Sequence, residues 1–238
     1  MSLRSDISTP AGKAPFVRRL FSTIADHYDL ITVLLSYGQD ARWKRRLIGM
    51  AGPLQCRRVL DLACGTGDLA LLASAAGADV TAVDITPRMI ALARVKARDR
   101  GARVRFLVGD MTSLPLPDAC VDVVTTGYGL RNVPDLDAAL REIHRVLKPG
   151  GRLLSLDFNR PASAPLRAVY HAYLTVVGSA LGWALHGDPD TYRYIPESIR
   201  LYPGAPGVVN RLRQAGFGTA CWHPVLGGLL AIHDANRA

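Results

Sequence analysis

Residues 59–70, VLDLACGTGDLA, constrain the fold of this chain more than any other segment. An apolar run ends at Asp61, a loop of small residues contains Gly65-Thr66-Gly67, and a helical pattern begins at Asp68. This order predicts a strand, a glycine turn and a helix N-terminus, where α/β sheets bind nucleotide-like ligands. The dinucleotide fingerprint G-x-G-x-x-G fails because Ala70 replaces its third glycine. An acid before the glycines suits a ligand with a cationic amino-acid end, such as S-adenosylmethionine (SAM).

Length, charge and cysteine usage set broad limits. The 238 residues carry 29 Lys and Arg against 20 Asp and Glu, a net charge of +9. The length predicts one domain with a sizeable core. The charge indicates either an anionic neighbour (nucleic acid, a membrane surface or an acidic substrate) or only a solvated basic surface. The cysteines lack CxxC spacing, which favours free thiols in a reducing cytosol and no metal site.

Strands and helices alternate through the middle of the chain. Strands are predicted over 58–63, 79–84, 104–109, 121–127 and 152–158, and helices over 68–76, 87–98 and 135–147. This alternation predicts an α/β, Rossmann-like, mostly parallel sheet covered on both faces. The last two strands, 218–225 and 228–233, are joined by a short turn and predict an antiparallel hairpin.

The chain is interpreted as a single domain, 1–238, with four parts: a helical cap (1–50), a SAM-binding core (51–160), a helical insertion or lid (161–200), and a C-terminal helix and hairpin (201–238). Within the cap, 1–15 is predicted to be a flexible lead-in and 16–50 to be helical. Residues 166–185 have the length of a membrane span, but Arg167 and His171 lie inside the segment. We therefore predict a mostly buried helix or a lid there.

Candidate cofactor-binding residues lie where the predicted strands end, because ligands of open parallel sheets bind at that edge. Asp84 ends the second strand and would accept hydrogen bonds from both ribose hydroxyls. After the third strand, Asp110 would bind the adenine amino group and the backbone N–H of Met111 a ring nitrogen. Gly127 leaves space beside the methionine end, where an acceptor must approach the methyl group. Each acid could instead serve only as a cap or turn residue.

Arg131 and Asn132 follow the fourth strand and are predicted to point polar groups into that space. Arg131 stays protonated, so it would polarise an acceptor oxygen or organise a water and would not act as a simple base. The alternative is a structural arginine that pins the loop.

Motifs along almost the whole chain resemble the ubiquinone/menaquinone biosynthesis C-methyltransferase family, class I SAM-dependent enzymes that methylate prenylated quinol rings. The most particular are GLRNV at 129–133 and YRY at 192–194, followed by PESI at 196–199. The resemblance implies SAM contacts for part of the glycine loop and for the strand-end residues. In full, the predicted cofactor-binding residues are Asp61, Gly65, Thr66, Gly67, Asp84, Ile85, Asp110, Met111 and Gly127, and the predicted catalytic residues are Tyr28, Arg131 and Asn132.

The implied reaction is methylation of a ring carbon without a metal. By the resemblance, Tyr28 and Arg131 face the ring with a water between them as proton acceptor. The chain departs from the family in one region: Thr32 stands where an Asn is usual, and Asp40-Ala41 where a His-Arg pair is usual. These departures leave open a related enzyme that methylates another aromatic or polyketide-like molecule.

The expected partner is a prenylated quinol or another aromatic small-molecule acceptor. A prenyl tail lies in the bilayer, so the basic N-terminal helices and the 166–185 segment predict a cytoplasmic protein that contacts the inner face of the cytoplasmic membrane. No nucleic-acid partner is expected, because no basic stripe with interleaved aromatics is present. Ala70 also disfavours a nicotinamide-dependent dehydrogenase. A homodimer and the choice between benzoquinol and naphthoquinol stay open.

Overall fold

The computed structural model describes Ile7 and residues 9–238. Its strands are β1 (Arg58–Leu62), β2 (Asp79–Asp84), β3 (Val104–Val108), β4 (Val121–Gly127), β5 (Leu147–Phe158), β6 (Phe217–Val225) and β7 (Leu230–Arg237). Its helices are α1 (Pro10–Ile24), α2 (Tyr28–Leu35), α3 (Asp40–Met50), α4 (Asp68–Ala75), α5 (Pro87–Asp99), α6 (Leu136–Val146), α7 (Ala164–His186), α8 (Tyr194–Leu201) and α9 (Gly204–Gln214).

The strands form one sheet in the order β3-β2-β1-β4-β5-β7-β6. Only β7 runs antiparallel to its neighbours, β5 and β6. The predicted Rossmann-like sheet with a C-terminal antiparallel hairpin is therefore confirmed. The strand order reverses between β1 and β4, which is where such sheets bind their ligands.

The core lies on both faces of the sheet. Because successive strand residues point to opposite faces, Val59 packs into one apolar cluster and Leu60 into the other. The first cluster includes Leu47 of α3, and the second includes Leu140 of α6 and Leu212 of α9. Both faces are thus covered by helices, as predicted for a parallel sheet.

The N-terminal boundary differs from the prediction. Helix α1 begins at Pro10, with the Thr9 hydroxyl accepting a hydrogen bond from the Gly12 N–H at 3.3 Å. The predicted flexible lead-in is therefore wrong for 10–15, because a Ser/Thr cap followed by Pro at the first helical position is a helix start. The rest of that prediction, at 1–6 and 8, lies outside the described residues.

Residues 166–185 are predicted to be a mostly buried helix or a lid, and the first of these two alternatives is wrong. The buried residues of α7 are Tyr170, Leu174, Gly178 and Gly182, a single stripe with one residue per turn. The most apolar 18-residue window of α7 is only 22% buried, and by length and composition this helix is able to cross a membrane. Val169 and Trp183 are 67% and 71% exposed. Packing in the protein core therefore accounts for only some of the apolar residues of α7.

His233 of β7 makes stability depend on acid pH. Its side chain is 0% exposed, and burial lowers its pKa from 6.5 to about 4. Because the unfolded chain binds this proton more tightly, the stability from neutral His233 is complete above about pH 6.5 and is lost as the pH falls toward 4. The loss amounts to roughly 3 kcal/mol.

We therefore expect His233→Leu to flatten the fall in unfolding free energy between about pH 7 and about pH 4, measured by urea denaturation. The control is Ile232→Leu beside it on β7, which removes no titratable group and should leave the slope unchanged. An identical slope in wild type and His233→Leu would contradict this role for His233.

Candidate active site

The glycine loop between β1 and α4 crosses the carboxyl end of the sheet. Gly65 and Gly67 have φ angles of +54° and +88°, a backbone region that favours glycine. A Cβ on Gly67 would lie 3.3 Å from Ala93 Cβ and 3.3 Å from a ring carbon of Phe106. Gly67 is thus required by packing, and it lines none of the cavities described below.

Asp84, at the end of β2, ties this loop to the start of α5. Its Oδ2 accepts from the Gly65 N–H at 2.9 Å and its Oδ1 from the Thr86 N–H at 2.8 Å. Burial raises the pKa of the Asp84 carboxyl, and these two hydrogen bonds oppose the rise. The carboxylate is therefore rigidly placed at the edge of a cavity.

This cavity, called here the cofactor cavity, gathers most of the predicted cofactor-binding residues. They are Gly65, Asp84, Ile85, Asp110, Met111 and Gly127. Asp110 is fixed by its Oδ1, which accepts from the Thr112 N–H and hydroxyl, both at 2.8 Å. Helix α1 adds Val17 and Phe21 to the wall. Sequence reasoning missed these two, because nothing local to α1 indicates that it covers the sheet edge.

Asp61 and Thr66 do not line the cofactor cavity. They line a smaller neighbour, called here the loop recess, together with Lys44 and Asp68. The two spaces adjoin, since both are lined by Tyr28, Ala63, Gly127 and Tyr128. The predicted cofactor-binding residues are thus divided between two adjoining spaces, with Gly67 outside both.

Asp61 is a buried carboxyl at the end of β1. Its Oδ1 accepts from the Thr125 hydroxyl at 2.8 Å, and its Oδ2 accepts from the Ala70 N–H at 3.1 Å. Burial raises its pKa to about 7. A carboxyl with this pKa gains from a nearby cation, which would favour its ionised form.

A larger apolar cavity of about 310 Å³, called here the acceptor cavity, lies beside the cofactor cavity. Phe21, Tyr28, Tyr128 and Asn132 line both. The rest of its wall is mostly aliphatic and aromatic: Leu20, Ile24, Ile31, Leu35, Trp43, Phe158, Tyr170, Tyr173, Tyr192, Tyr194, Ile195, Leu229 and Leu230. The arrangement suits a flat apolar ring with a few polar substituents.

Tyr28, the first residue of α2, stands where the cofactor cavity, the acceptor cavity and the loop recess meet. Loss of water around its hydroxyl raises its pKa to about 12. Tyr28 is therefore protonated near neutral pH and is able to donate a hydrogen bond. It is not a base in this state.

Arg131 lines the acceptor cavity and is also pinned to the protein. Its backbone N–H donates to Asp157 Oδ2 at 2.9 Å. In its side chain, Nε lies 3.4 Å from Asp157 Oδ1 and Nη1 donates to the Ser198 hydroxyl. Its guanidinium carbon lies 5.0 Å from the ring centre of Phe158. The two sequence readings, a residue beside the acceptor and a loop anchor, are therefore compatible.

Sequence reasoning missed Asp157, Ser198 and the helix α8 that carries Ser198. A proline at 196 suggests a loop, but it falls in the first turn of α8, where the missing N–H costs nothing. Asp157 stands between the apolar residues Leu156 and Phe158 near the end of β5, and this was the available signal, because a buried strand admits a charge only when it is paired.

Asn132 lies in the shared wall. Its Nδ2 donates to the Tyr128 carbonyl at 2.7 Å, while its buried Oδ1 has no hydrogen-bond partner among the described residues. An acceptor atom in this state favours a donor group on a ligand.

The residues that depart from the family pattern lie in different places. Thr32 lines the acceptor cavity. Asp40 does not: its Oδ1 accepts from the Tyr128 hydroxyl at 2.7 Å and its Oδ2 lies 2.6 Å from Lys44 Nζ. The departure at Asp40 therefore changes the contacts that hold Tyr128 and Lys44 in place, and it does not change the wall of the acceptor cavity.

All four cysteines are free, as predicted. Among the described residues, Cys221, His223 and Asp234 are close enough together to hold a metal ion. They lie on β6 and β7 and line neither cavity, and Arg152 already binds both carboxylate oxygens of Asp234, at 2.7 and 2.5 Å. This group is thus separate from the candidate site.

Comparisons with known proteins agree with this geometry. The ubiE/COQ5 methyltransferase family matches residues 9–237. A demethylmenaquinone methyltransferase of Thermus thermophilus is 43% identical over 220 residues, covering 92% of this chain and 100% of that protein. The ubiquinone/menaquinone biosynthesis C-methyltransferase UbiE of Rubrivivax gelatinosus is 42% identical over 222 residues, covering 93% and 87%.

The fold is also found in a solved structure, a SAM-dependent methyltransferase from Aquifex aeolicus. Its TM-score is 0.61 at 21% identity, with coverage of 82% of this chain and 89% of that one. The match confirms the predicted fold class, and the family match extends over almost the whole chain. The chain therefore belongs to the ubiE/COQ5 methyltransferase family and is a SAM-dependent methyltransferase.

Proposed function

We propose that this enzyme transfers the methyl group of SAM to a ring carbon of a prenylated quinol in menaquinone or ubiquinone biosynthesis. The observation that carries the proposal is the apolar acceptor cavity of about 310 Å³, which shares Tyr28, Tyr128 and Asn132 with the cofactor cavity. A ring bound there would lie next to the methyl donor. The names of the relatives, demethylmenaquinone methyltransferase among them, support this acceptor class.

The cofactor cavity fits SAM by the chemistry of its groups. Asp84 would accept from the ribose hydroxyls, and Asp110 and Met111 would bind the adenine. Gly127 would face the methionine end. A Cβ at position 127 would lie 3.1 Å from Leu69 Cδ1 and would narrow the place where the cofactor cavity adjoins the loop recess. When bound, SAM supplies an electrophilic methyl group on a sulfonium.

The residues of the acceptor cavity would make the ring nucleophilic. The loss of a phenolic proton from the quinol raises the electron density on the neighbouring carbon. Arg131 would stabilise the resulting phenolate, and Tyr28, protonated at neutral pH, would donate a hydrogen bond to it. A water between these two residues would take the proton.

The test is a methylation assay with demethylmenaquinol and a demethoxyubiquinol-type acceptor side by side, supplemented by lipid extracts of a deletion strain. We expect methyl transfer to at least one quinol. Transfer to other aromatic or polyketide-like acceptors with none to either quinol would establish the alternative acceptor class and overturn the proposal.

We also propose that the enzyme works at the inner face of the cytoplasmic membrane. Exposed apolar side chains lie on α2 and α7, two helices that both contribute residues to the acceptor cavity: Leu30, Val33, Leu34, Leu166, Val169, Val176 and Trp183, of which Leu166 and Val169 line the cavity. Tyr37 and Tyr173 stack across the gap between these elements, with ring centres 5.5 Å apart, and both line the cavity. A prenyl tail that leaves the cavity beside α7 would therefore meet exposed apolar side chains.

Vesicle binding tests this placement. We expect the protein to co-sediment with anionic liposomes at low salt, and Val176→Glu with Trp183→Glu to weaken binding at least about tenfold, because two large apolar side chains are lost from the contact. Val95→Glu with Val108→Glu, two exposed valines on α5 and β3, is the control. Wild-type protein that stays at background at low salt would contradict the membrane contact.

A further inference from the structure

Tyr170 of α7 is a buried tyrosine in the wall of the acceptor cavity, and its hydroxyl is unused. The residue is 8% exposed and belongs to the stripe of α7 that faces the protein. No hydrogen bond joins its hydroxyl to another described residue. The hydroxyl is also not sealed in the core, in contrast to that of Tyr194, which is enclosed and has no partner among the described residues. Tyr170 therefore offers a free donor and acceptor to the cavity that it lines.

Tyr170 lies close to the arginine that is proposed to act on the ring. It packs in an apolar cluster with Leu174 and Ile199, and Phe158 packs against this cluster. The same Phe158 ring lies 5.0 Å from the guanidinium carbon of Arg131. Burial raises the pKa of Tyr170, and the positive charge of Arg131 opposes the rise. The hydroxyl is thus protonated near neutral pH and lies within electrostatic reach of Arg131.

Tyr170 is also close to the opening of the acceptor cavity. Tyr37 is 61% exposed and lines the cavity, so the cavity reaches the surface beside it. Tyr37 stacks on Tyr173, which follows Tyr170 by one turn of α7. Both tyrosines add to the rise in the pKa of Tyr170, which places its hydroxyl near them as well. The hydroxyl is therefore near both Arg131 and the opening.

A quinol brings a second oxygen that needs a partner. The two hydroxyls of a quinol stand on opposite carbons of the ring, so a group that holds one does not reach the other. The proposed reaction uses the hydroxyl next to the methylated carbon. The tail stands on the other neighbour of that carbon, and the second hydroxyl on the carbon beyond the tail. If the tail leaves by the opening, the second hydroxyl points the same way, and burying it without a partner would be costly.

Other tyrosine hydroxyls of this wall are already committed within the protein. Tyr128 donates to Asp40 Oδ1 at 2.7 Å. The hydroxyl of Tyr192 and Nε2 of His186 are 2.8 Å apart. A ligand would have to break these contacts to use either hydroxyl, whereas Tyr170 has none to give up.

We propose that Tyr170 is a substrate-binding residue whose hydroxyl forms a hydrogen bond with the second ring oxygen of the quinol, the one that keeps its proton. The inference rests on the proposed function, because it takes a quinol as the acceptor. It assigns to α7, outside the Rossmann-like core, the selection of a ring with two oxygens over a ring with one. A site that bonds a substrate hydroxyl rejects the analogue without it, because the polar group of the site is then left unpaired.

Steady-state kinetics of Tyr170→Phe with two acceptors tests the proposal. One acceptor is whichever of demethylmenaquinol and the demethoxyubiquinol-type quinol the wild type methylates, and the other is the same molecule with hydrogen in place of the second hydroxyl. With the quinol, the variant should raise KM roughly 5- to 100-fold and change kcat less than about threefold, because the lost bond is present before and during methyl transfer. With the monohydroxy analogue, variant and wild type should be alike.

Two controls accompany this variant. Phenylalanine keeps the ring that packs against Leu174 and Ile199, so the fold should persist, and an unchanged SAM affinity by titration calorimetry checks this. Tyr202→Phe removes the hydroxyl of another buried tyrosine, one that lines neither cavity. Its kinetics with both acceptors should match those of the wild type.

Three results would contradict the proposal. An unchanged KM for the quinol in Tyr170→Phe, or an equal rise in KM for both acceptors, would overturn the contact with the second oxygen. A large fall in kcat with both acceptors would place Tyr170 beside the reacting oxygen and would overturn it too. Wild-type protein that methylates neither quinol would overturn the proposed function, and the role of Tyr170 with it.

Discussion

Replacing Tyr28 by phenylalanine is expected to lower the turnover of methyl transfer at least about a hundredfold, the lower range for a lost proton-transfer or hydrogen-bonding group. The reason is that Tyr28 lines both the cofactor cavity and the acceptor cavity. Its pKa of about 12 keeps it a donor throughout the neutral range. The affinity for SAM should be unchanged, so single-turnover rates at saturating SAM and acceptor are the measurement.

Tyr202→Phe is the matched control for this variant. Tyr202 is also a buried tyrosine, its hydroxyl has no partner among the described residues, and it lines neither cavity. It should keep full turnover. Wild-type turnover in Tyr28→Phe would show that proton transfer from the quinol needs no help from this hydroxyl.

Replacing Asp84 by alanine should raise the dissociation constant of SAM at least about a hundredfold. The two charge-assisted hydrogen bonds that we propose to the ribose, at about 1.5–3 kcal/mol each, would account for this loss. The variant also releases the glycine loop and the start of α5, because Asp84 accepts hydrogen bonds from the Gly65 and Thr86 N–H groups. Isothermal titration with SAM measures the effect.

Asp79→Ala, at the exposed start of the same strand, controls for the loss of a carboxylate from β2 and should bind SAM normally. Asp84→Asn keeps the side-chain shape and should fall between wild type and alanine. Equal SAM affinity in wild type and Asp84→Ala would falsify the ribose role.

Local signals explain how far the sequence predicted the fold. The bounds of β2 and β4 are as predicted, because turn residues and acids punctuate apolar runs there. By contrast, the exposure of α7 was not predictable from its composition. An apolar helix that is buried and one that is exposed have the same sequence pattern, and what separates them is its packing against distant elements.

The same division holds for the site. Asp84, Asp110, Met111 and Gly127 lie at strand ends, and the topology rule alone places them together. Lys44 and Phe21 reach the site from the cap, which no local pattern positions over the sheet. Asp157, which pairs with Arg131, is separated from it by the whole of α6 and most of β5.

The wall shared by Phe21, Tyr28, Tyr128 and Asn132 has a thermodynamic consequence. A side chain that touches both ligands couples their binding, because any shift that one ligand imposes on it changes the wall that the other ligand meets. Such coupling is reciprocal: the factor by which methyl donor changes acceptor affinity equals the factor by which acceptor changes donor affinity. A change in SAM affinity caused by a bound quinol would therefore be matched by an equal change in quinol affinity caused by bound SAM.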